Sequence, residues 1–262
     1  MQSLHFWKFD GAGNDFVLID ARTIDPHLST NEIAQICHRR NGVGADGLMT
    51  LHPGPEGFDF EMKYYNSDGN PAEMCGNGAR CISVFAYLLG VGEGKATLRF
   101  VASDGPHDAV IEQWHNDTRK GVVRLGMRDV ADHEVRQVLD GTLLNTGVPH
   151  FVLSVRDLDN YNVKEEGCRL RHHQAMGPAG ANVNFVEETN GVLHVRTYER
   201  GVEDETWACG TGVTACAIAL GKHEIKARGG DFKVDFQHTA DGYKHVKLIG
   251  PVSLNFEGDI VI

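Results

Sequence analysis

Two cysteines stand in near-copies of one motif, MCGNGARC at 74–81 and ACGTGVTAC at 208–216. In each, the thiol precedes Gly-x-Gly and a run that reads as a helix, so the sulfur sits where a helix begins. A free thiol has a pKa of about 8.5, and a helix N-terminus lowers that value by favouring the anion. The glycines strip side chains from the first turn, letting its unsatisfied backbone N–H groups approach an anion closely. Each motif is therefore a reactive sulfur beside a carboxylate cradle: Cys75 with Gly76 and Asn77, and Cys209 with Gly210 and Thr211. Two such motifs meeting on one amino acid would place a sulfur on each face of its α-carbon. That arrangement suits inversion at carbon without a cofactor. One thiolate removes the α-proton, the opposite thiol delivers another, and the helix-end donors stabilise charge growing on the carboxylate. Like-charge repulsion in a small, dry site leaves one sulfur ionised at a time.

Taken singly, Cys-Gly-x-Gly is a helix-start turn; the matched pair is what points to catalysis. Cys37, Cys81, Cys168 and Cys216 read as small core or near-surface residues. All six cysteines are expected to be reduced, because a 262-residue chain without an export signal is not a small disulfide scaffold. The chain holds 14 His but neither C-x-x-C, H-E-x-x-H nor a zinc-finger cysteine pair, so no metal is expected. His172-His173 reads as a solvated turn. Gly42-Val43-Gly44-Ala45-Asp46-Gly47 matches G-x-G-x-x-G but follows a helix and precedes a strand, the reverse of the order a dinucleotide fold requires.

The elements that must position the cysteines repeat as well. Sliding the chain on itself by about 134 residues aligns Phe16-Val17-Leu18 with Phe151-Val152-Leu153 and Gly44-Ala45-Asp46 with Gly180-Ala181-Asn182. The same shift aligns Tyr64-Tyr65-Asn66 with Tyr198-Glu199-Arg200 and Cys75 with Cys209. Such a period suggests an ancestral duplication into two pseudo-symmetric halves, with a functional site between them. The alternation Phe58, Phe60, Met62, Tyr64 predicts a strand before the first cysteine, and Val195–Tyr198 one before the second. Further strands are expected at 4–9, 16–20, 48–51, 96–101, 107–113, 121–126, 150–155, 182–188, 231–237 and 244–249. Ser29-x-x-Glu32 predicts a capping box opening a helix to about Arg40. Ala79–Leu89 and Val213–Leu220 are apolar almost all round, each followed by Gly, which predicts two buried central helices. The expected class is α+β: two halves, each strands wrapped around one core helix whose N-terminus carries the cysteine. The polar stretch 116–121 places the domain exchange near 118–120, giving halves 1–118 and 119–250. Pro251 is expected to interrupt a strand, and 251–262 could pair back onto the first half.

Composition bounds the partners. Lys plus Arg 25 against Asp plus Glu 36 gives a net charge of −11, which disfavours binding nucleic acid or an anionic membrane. The start lacks a basic region followed by an apolar run, and no stretch approaches the roughly 20 apolar residues of a membrane span. A cytoplasmic protein is expected.

Taken together, GAGNDF (11–16), YNSDG (65–69), MCGNGARC, GVPH (147–150), GANVNF (180–185), YERG (198–201) and ACGTG (208–212) resemble the diaminopimelate epimerase family, in order over nearly the whole chain. The resemblance implies two β-barrel-like domains around central helices with the active site in the cleft between them. It also implies cofactor-free interconversion of LL- and meso-diaminopimelate for lysine and peptidoglycan synthesis, in a homodimer. It makes Cys75 and Cys209 the acid/base pair and gives His150 and Glu199 a role in tuning the thiols. It assigns Asn14, Asn66, Asn182, Glu199 and Arg200 to substrate binding and Gly76-Asn77 and Gly210-Thr211 to the carboxylate site. Arg200 can grip a distal carboxylate with two parallel hydrogen bonds, while carboxamides and Glu199 can accept from ammonium groups. Two positions depart from the usual pattern: Gly47 where many members carry Gln, and Val148 where many carry Asn. The rivals are a proline or hydroxyproline racemase, whose usual first motif has His where Asn77 stands, a thiol redox enzyme, disfavoured by the lack of C-x-x-C, and an amino-acid binding protein, for which matched thiols would be superfluous.

Overall fold

The computed structural model describes residues 3–72 and 74–262. Its chain forms two compact units, one running to Leu125 and taking up Pro251–Ile262, the other Gly126–Gly250.

The first unit contains β1 (Ser3–Gly11), β2 (Asn14–Asp20), α1 (Thr30–Cys37), β3 (Gly47–Pro53), β4 (Phe60–Asn66), α2 (Gly76–Leu88), β5 (Leu98–Ala102), β6 (Gly105–His115) and β7 (Lys120–Gly126). The second contains β8 (Arg136–Val138), β9 (Gly141–Asn145), β10 (Pro149–Ser154), α3 (Val163–Arg171), β11 (Asn182–Thr189), β12 (Val192–Glu199), β13 (Asp204–Thr206), α4 (Gly210–Leu220), β14 (Glu224–Ala227) and β15 (Gly230–Thr239). The last strand, β16 (Gly242–Val261), begins in the second unit and ends in the first.

In the first unit β1 to β7 pair in chain order, and the end of β16 closes the ring between β7 and β1, with Ser3 opposite Val261. β7 belongs to this ring, so the unit boundary follows β7 instead of the polar turn before it. Inside lies α2, touching β1, β2, β3, β4 and β6. Ala79, Cys81, Ile82, Val84, Phe85 and Ala86 are all fully buried, as a helix without a polar face requires. Each fully buried Ile, Val or Phe there contributes roughly 1.5–3 kcal/mol. On the outer face of the sheet Ile33, Ile36 and Cys37 of α1 pack on Val17, Ile19 and Leu48. Ser29 and Glu32 form the expected capping box. The helix stops at Cys37, short of Arg40, because the chain folds back on it: Val43 and Gly44 N–H groups both donate to Ile36 O. A Cβ at Gly42 would lie 2.0 Å from Gln35 O, so only glycine allows that return.

The second unit repeats the ladder pattern. In the first, β1–β2 is antiparallel, β2–β3 parallel, β3–β4 antiparallel, β4–β5 parallel and β5–β6 antiparallel. β9–β10, β10–β11, β11–β12, β12–β14 and β14–β15 follow the same alternation. α4 occupies the place of α2, touching β9, β10, β11, β12, β14 and β15, and α3 the place of α1.

The ladders also correct the alignment of the halves. Val17 and Ile19 face the outer helix of their unit, whereas in the second unit Phe151, Val183 and Phe185 do so. A strand's faces alternate, so Val17 matches Phe151, and Phe16 matches His150. In the same register Leu48 matches Val183, Met49 matches Asn184, and Asn66 matches Glu199. Pro251 does not interrupt β16: the ladder to β15 ends at Ile249 and that to β1 begins at Ser253, so its missing N–H falls between the two.

Candidate active site

Cys75 is the N-cap of α2 and Cys209 that of α4, with φ/ψ of −112°/122° and −114°/113°. In neither case does the sulfur cap its own helix. The local sequence dictates this placement. β4 precedes the first cysteine and β12, followed by the short β13, precedes the second, and the two glycines let each first turn approach the strands behind it.

What stands behind each first turn differs between the halves. At Gly78 a Cβ would meet Met49 Cε at 1.8 Å and Phe16 Cζ at 3.5 Å. At the matched Gly212 it would meet Asn184 Oδ1 at 2.5 Å and His150 Cε1 at 3.4 Å. Tyr64, opposite Met49 in its ladder, packs edge-on against Phe16, with centroids 5.9 Å apart. Thr197, opposite Asn184, donates its hydroxyl to Asn184 Oδ1 at 2.9 Å. The same scaffold positions thus hold Phe16, Met49 and Tyr64 in one half and His150, Asn184 and Thr197 in the other.

In the first half, half-buried Cys75 donates its S–H to Asn14 Oδ1 at 3.6 Å. Asn14 Nδ2 donates to Asp46 Oδ2 at 2.6 Å, which fixes the amide with its oxygen toward the sulfur. Asp46 in turn accepts Arg39 Nη2 at 2.6 Å. Asp15 lies beside this group; burial alone would raise its pKa, but hydrogen bonds from Arg39 and Lys8 hold it well below the usual carboxylate range. Arg80, fully buried one turn into α2, donates to Gly76 O at 3.3 Å, Asn77 Oδ1 at 3.0 Å and Pro251 O at 3.3 Å. Burial lowers its pKa, while the neighbouring Cys81, Cys75 and Asp10 oppose that shift. Burial pushes the Cys81 thiol far up and the Cys37 thiol up to about 11, so both are inert at neutral pH. Asn66 is exposed at the end of β4, where its N–H donates to Asn70 O at 2.9 Å.

In the second half, Cys209 Sγ lies 3.3 Å from Thr211 Oγ1, and Thr211 Oγ1 lies 2.9 Å from His150 Nε2. His150 is fully buried, and burial, followed by the charge of Arg200, pushes its pKa down to about 3, so the ring is neutral near pH 7. Asn184 Nδ2 faces His150 Nδ1 at 3.2 Å and donates to Phe151 O at 3.2 Å. The Thr146 hydroxyl donates to Thr211 O at 2.8 Å and holds the first turn. Cys216 is kept a thiol, its pKa raised by burial and by Cys209.

Asn182 is buried, and its Oδ1 accepts the Arg200 N–H at 2.7 Å. It therefore pins the turn that carries Arg200. Glu199 is half-buried at the end of β12, its carbonyl accepting Glu203 N–H at 2.8 Å.

The departure at Gly47 has a steric reason, since a Cβ there would lie 2.5 Å from both Tyr64 Cε2 and Tyr65 O. Val148 is half-buried just before His150. His172 is exposed at the C-cap of α3. Among the described residues no group of three His, Cys, Asp or Glu could hold a metal ion, and no helix is long and apolar enough to cross a membrane.

Sequence reasoning passed over Asn184, Thr197, Asp46 and Arg80. One signal was available: Asn182 and Asn184 alternate with Val183 and Phe185, so period two puts both amides on the face turned away from the apolar cluster.

A family model described as diaminopimelate epimerase matches residues 6–129 and 142–245. Over 98% of this chain and 100% of the relative, the sequence is 42% identical to the diaminopimelate epimerase of Flavobacterium psychrophilum. It is 39% identical to that of Aquifex aeolicus, over 97% of each chain. Among solved structures, a phenazine biosynthesis protein of the PhzF family from Bacillus anthracis is similar with a TM-score of 0.71 at 15% identity, covering 100% of both chains. A hydroxyproline epimerase from Agrobacterium vitis is similar with a TM-score of 0.69 at 14% identity, covering 99% of this chain and 91% of that one. At such identities the structural likenesses speak for the fold, while the family model and the close relatives speak for descent. The chain belongs to the diaminopimelate epimerase family.

Proposed function

We propose that this protein interconverts LL- and meso-diaminopimelate by moving the α-proton between Cys75 and Cys209, without a cofactor. The observation that carries the reading is the matched placement of the two thiols. Each is the N-cap of a central helix, each has the same backbone conformation, and neither sulfur is spent on capping. Inversion at one carbon needs a base on one face and an acid on the other, and each half contributes one sulfur. As the α-proton leaves, charge spreads onto the carboxylate, where N–H groups at Gly76-Asn77 and Gly210-Thr211 stabilise it. Preorganised donors of this kind replace the electron sink that a cofactor would supply.

The distal end of the substrate carries a second carboxylate and ammonium. Arg200, whose backbone is tied by Asn182, would hold the carboxylate through two parallel hydrogen bonds. Glu199, Asn66 and Asn14 would accept from the ammonium groups, and His150 would act on Cys209 through Thr211. The enzyme would serve lysine and peptidoglycan synthesis in the cytoplasm and act as a homodimer, which sedimentation velocity tests by mass.

The activity test supplies purified protein with LL-diaminopimelate in the presence of a chelator and no added pyridoxal phosphate. Appearance of the meso isomer by chiral chromatography is expected, with L-proline unchanged under the same conditions. Inversion of proline with no action on diaminopimelate would overturn the reading.

A further inference from the structure

Asn14 opens β2, and Asp46 is the last residue before β3. The two strands run parallel with Phe16 beside Gly47, so they start at the same end of the sheet and bring these two side chains together. Asn14 Nδ2 donates to Asp46 Oδ2 at 2.6 Å, and the Asp15 N–H donates to the same oxygen at 3.2 Å. The other carboxylate oxygen, Asp46 Oδ1, accepts Arg39 Nη2 at 2.6 Å. Arg39 also grips both oxygens of Asp15, Nη2 on Oδ1 at 2.7 Å and Nη1 on Oδ2 at 3.0 Å. Lys8, buried on β1, donates to Asp15 Oδ2 at 2.6 Å and to Gly44 O.

Two carboxylates side by side repel, and Arg39 and Lys8 make the pair tenable. A carboxylate has no proton to give, so Asp46 meets Asn14 only as an acceptor. The Asn14 amide nitrogen is therefore turned toward Asp46 and its oxygen toward Cys75 Sγ, 3.6 Å away. An amide oxygen has two lone pairs, so this one can take a substrate donor beside the thiol.

The second half builds the same ladder without this array. In the register set by the strands, Asn14, Asp15 and Asp46 match Val148, Pro149 and Ala181, none of which has a polar side chain. The fold itself does not require the array, since a brace for the strand ends would be needed in both halves.

Resting on the two-thiol reading above, we infer that Asp46 is a positioning residue for the substrate's amino group. It fixes the Asn14 oxygen as the acceptor of an ammonium, and Arg39 and Lys8, through Asp15, keep Asp46 in place. The group recognised is a proton donor; a substrate carboxylate in the same place would set oxygen against oxygen. The array thus decides which substituent of the substrate lies against the first half.

The test exchanges the two partners. Asn14→Asp sets a carboxylate against Asp46 where a donor stood. Asp46→Asn opposes the new amide nitrogen to a donor, Asn14 or Arg39, whichever way it turns. Each single variant is expected to raise KM for LL-diaminopimelate by roughly tenfold, with a smaller change in kcat, the order expected for losing one hydrogen bond to a charged group. When Asn14→Asp and Asp46→Asn are combined, the bond re-forms in reverse. The amide at 46 donates, its oxygen still accepts from Arg39, and the carboxylate at 14 keeps an oxygen toward the site. KM in the double variant should fall below that of both single variants, toward the wild-type value. Unchanged KM in both single variants, or a double variant no better than the worse single one, would overturn the inference. Urea midpoints are measured alongside, and where a single variant does not fold, Arg39→Gln on the exposed side of the array takes its place. A raised KM in Arg39→Gln supports the inference and an unmoved one overturns it. Inversion by the wild type with KM unmoved in the variants sinks only this inference, whereas no inversion by the wild type sinks the function it rests on as well.

Discussion

If each sulfur serves one face of the α-carbon, Cys75→Ala and Cys209→Ala should each lower the inversion rate by roughly 10²–10⁴-fold, the usual worth of a positioned acid or base, or more. Chiral chromatography on LL- and on meso-diaminopimelate checks this in both directions, and near-normal inversion by either variant would contradict it. Arg200→Lys should keep the charge but lose the paired donors, raising KM by roughly tenfold with a smaller change in kcat. A third expectation concerns stability and pH. His150 has a folded pKa of about 3 against the ordinary 6.5, so between these values the unfolded chain binds a proton that the folded one refuses. Stability is then complete above about pH 6.5 and falls as the pH drops toward 3. Urea midpoints from pH 7 to pH 4 should decline less steeply in His150→Gln than in the wild type; an equal or steeper decline in the variant would contradict a buried neutral ring.

The helices that carry the cysteines make a sharper demand on glycine in the second half than in the first. In Gly78→Ala the new methyl meets the flexible end of Met49, which can swing away. In Gly212→Ala it meets Asn184 Oδ1, which is bonded to Thr197 and cannot yield without disturbing the hydrogen bonds Asn184 makes with Thr197, His150 and Phe151. Gly212→Ala should therefore cost about 1–3 kcal/mol and most of the activity, and Gly78→Ala distinctly less of both, as read by urea denaturation alongside the inversion assay. Comparable losses in the two variants would contradict this asymmetry. At this scale much was legible in the sequence. The capping box at Ser29–Glu32 declares the start of α1, and the all-round apolar runs after each cysteine declare helices with no solvent face. What could not be read was the match between halves to the residue. Phe16 and Phe151 look alike, yet they point to opposite faces of their sheets, because identity in a strand says nothing of parity. The end of α1 was hidden for a similar reason: Gly42 lets the chain turn back on Gln35, a tertiary contact without a periodic signal.

For the molecule as a whole, the duplication was the strongest sequence signal, since two long-range motif copies recur with the strand and helix pattern around them. The path of β16 was less legible, because a proline inside an apolar run ordinarily ends a strand; here it falls where one ladder stops and the next starts. The last dozen residues close the first barrel against β1 and β7, and Pro251 O accepts Arg80 of the central helix. A chain ended after Gly250 should therefore fail to fold its first unit, seen as lost amide protection in hydrogen exchange over β1 and β2; retained protection there would show the closing strand to be dispensable. The central claim is that two different sulfurs handle the proton on the two faces of one carbon. Its most direct test is the position of label when LL-diaminopimelate is turned over in deuterated water and sampled early. The account predicts deuterium at the α-carbon of the meso product while the remaining LL substrate stays protiated, because the acid that delivers is not the base that removed. Deuterium entering recovered LL substrate as fast as it enters product would mean one group serving both faces, and would contradict it.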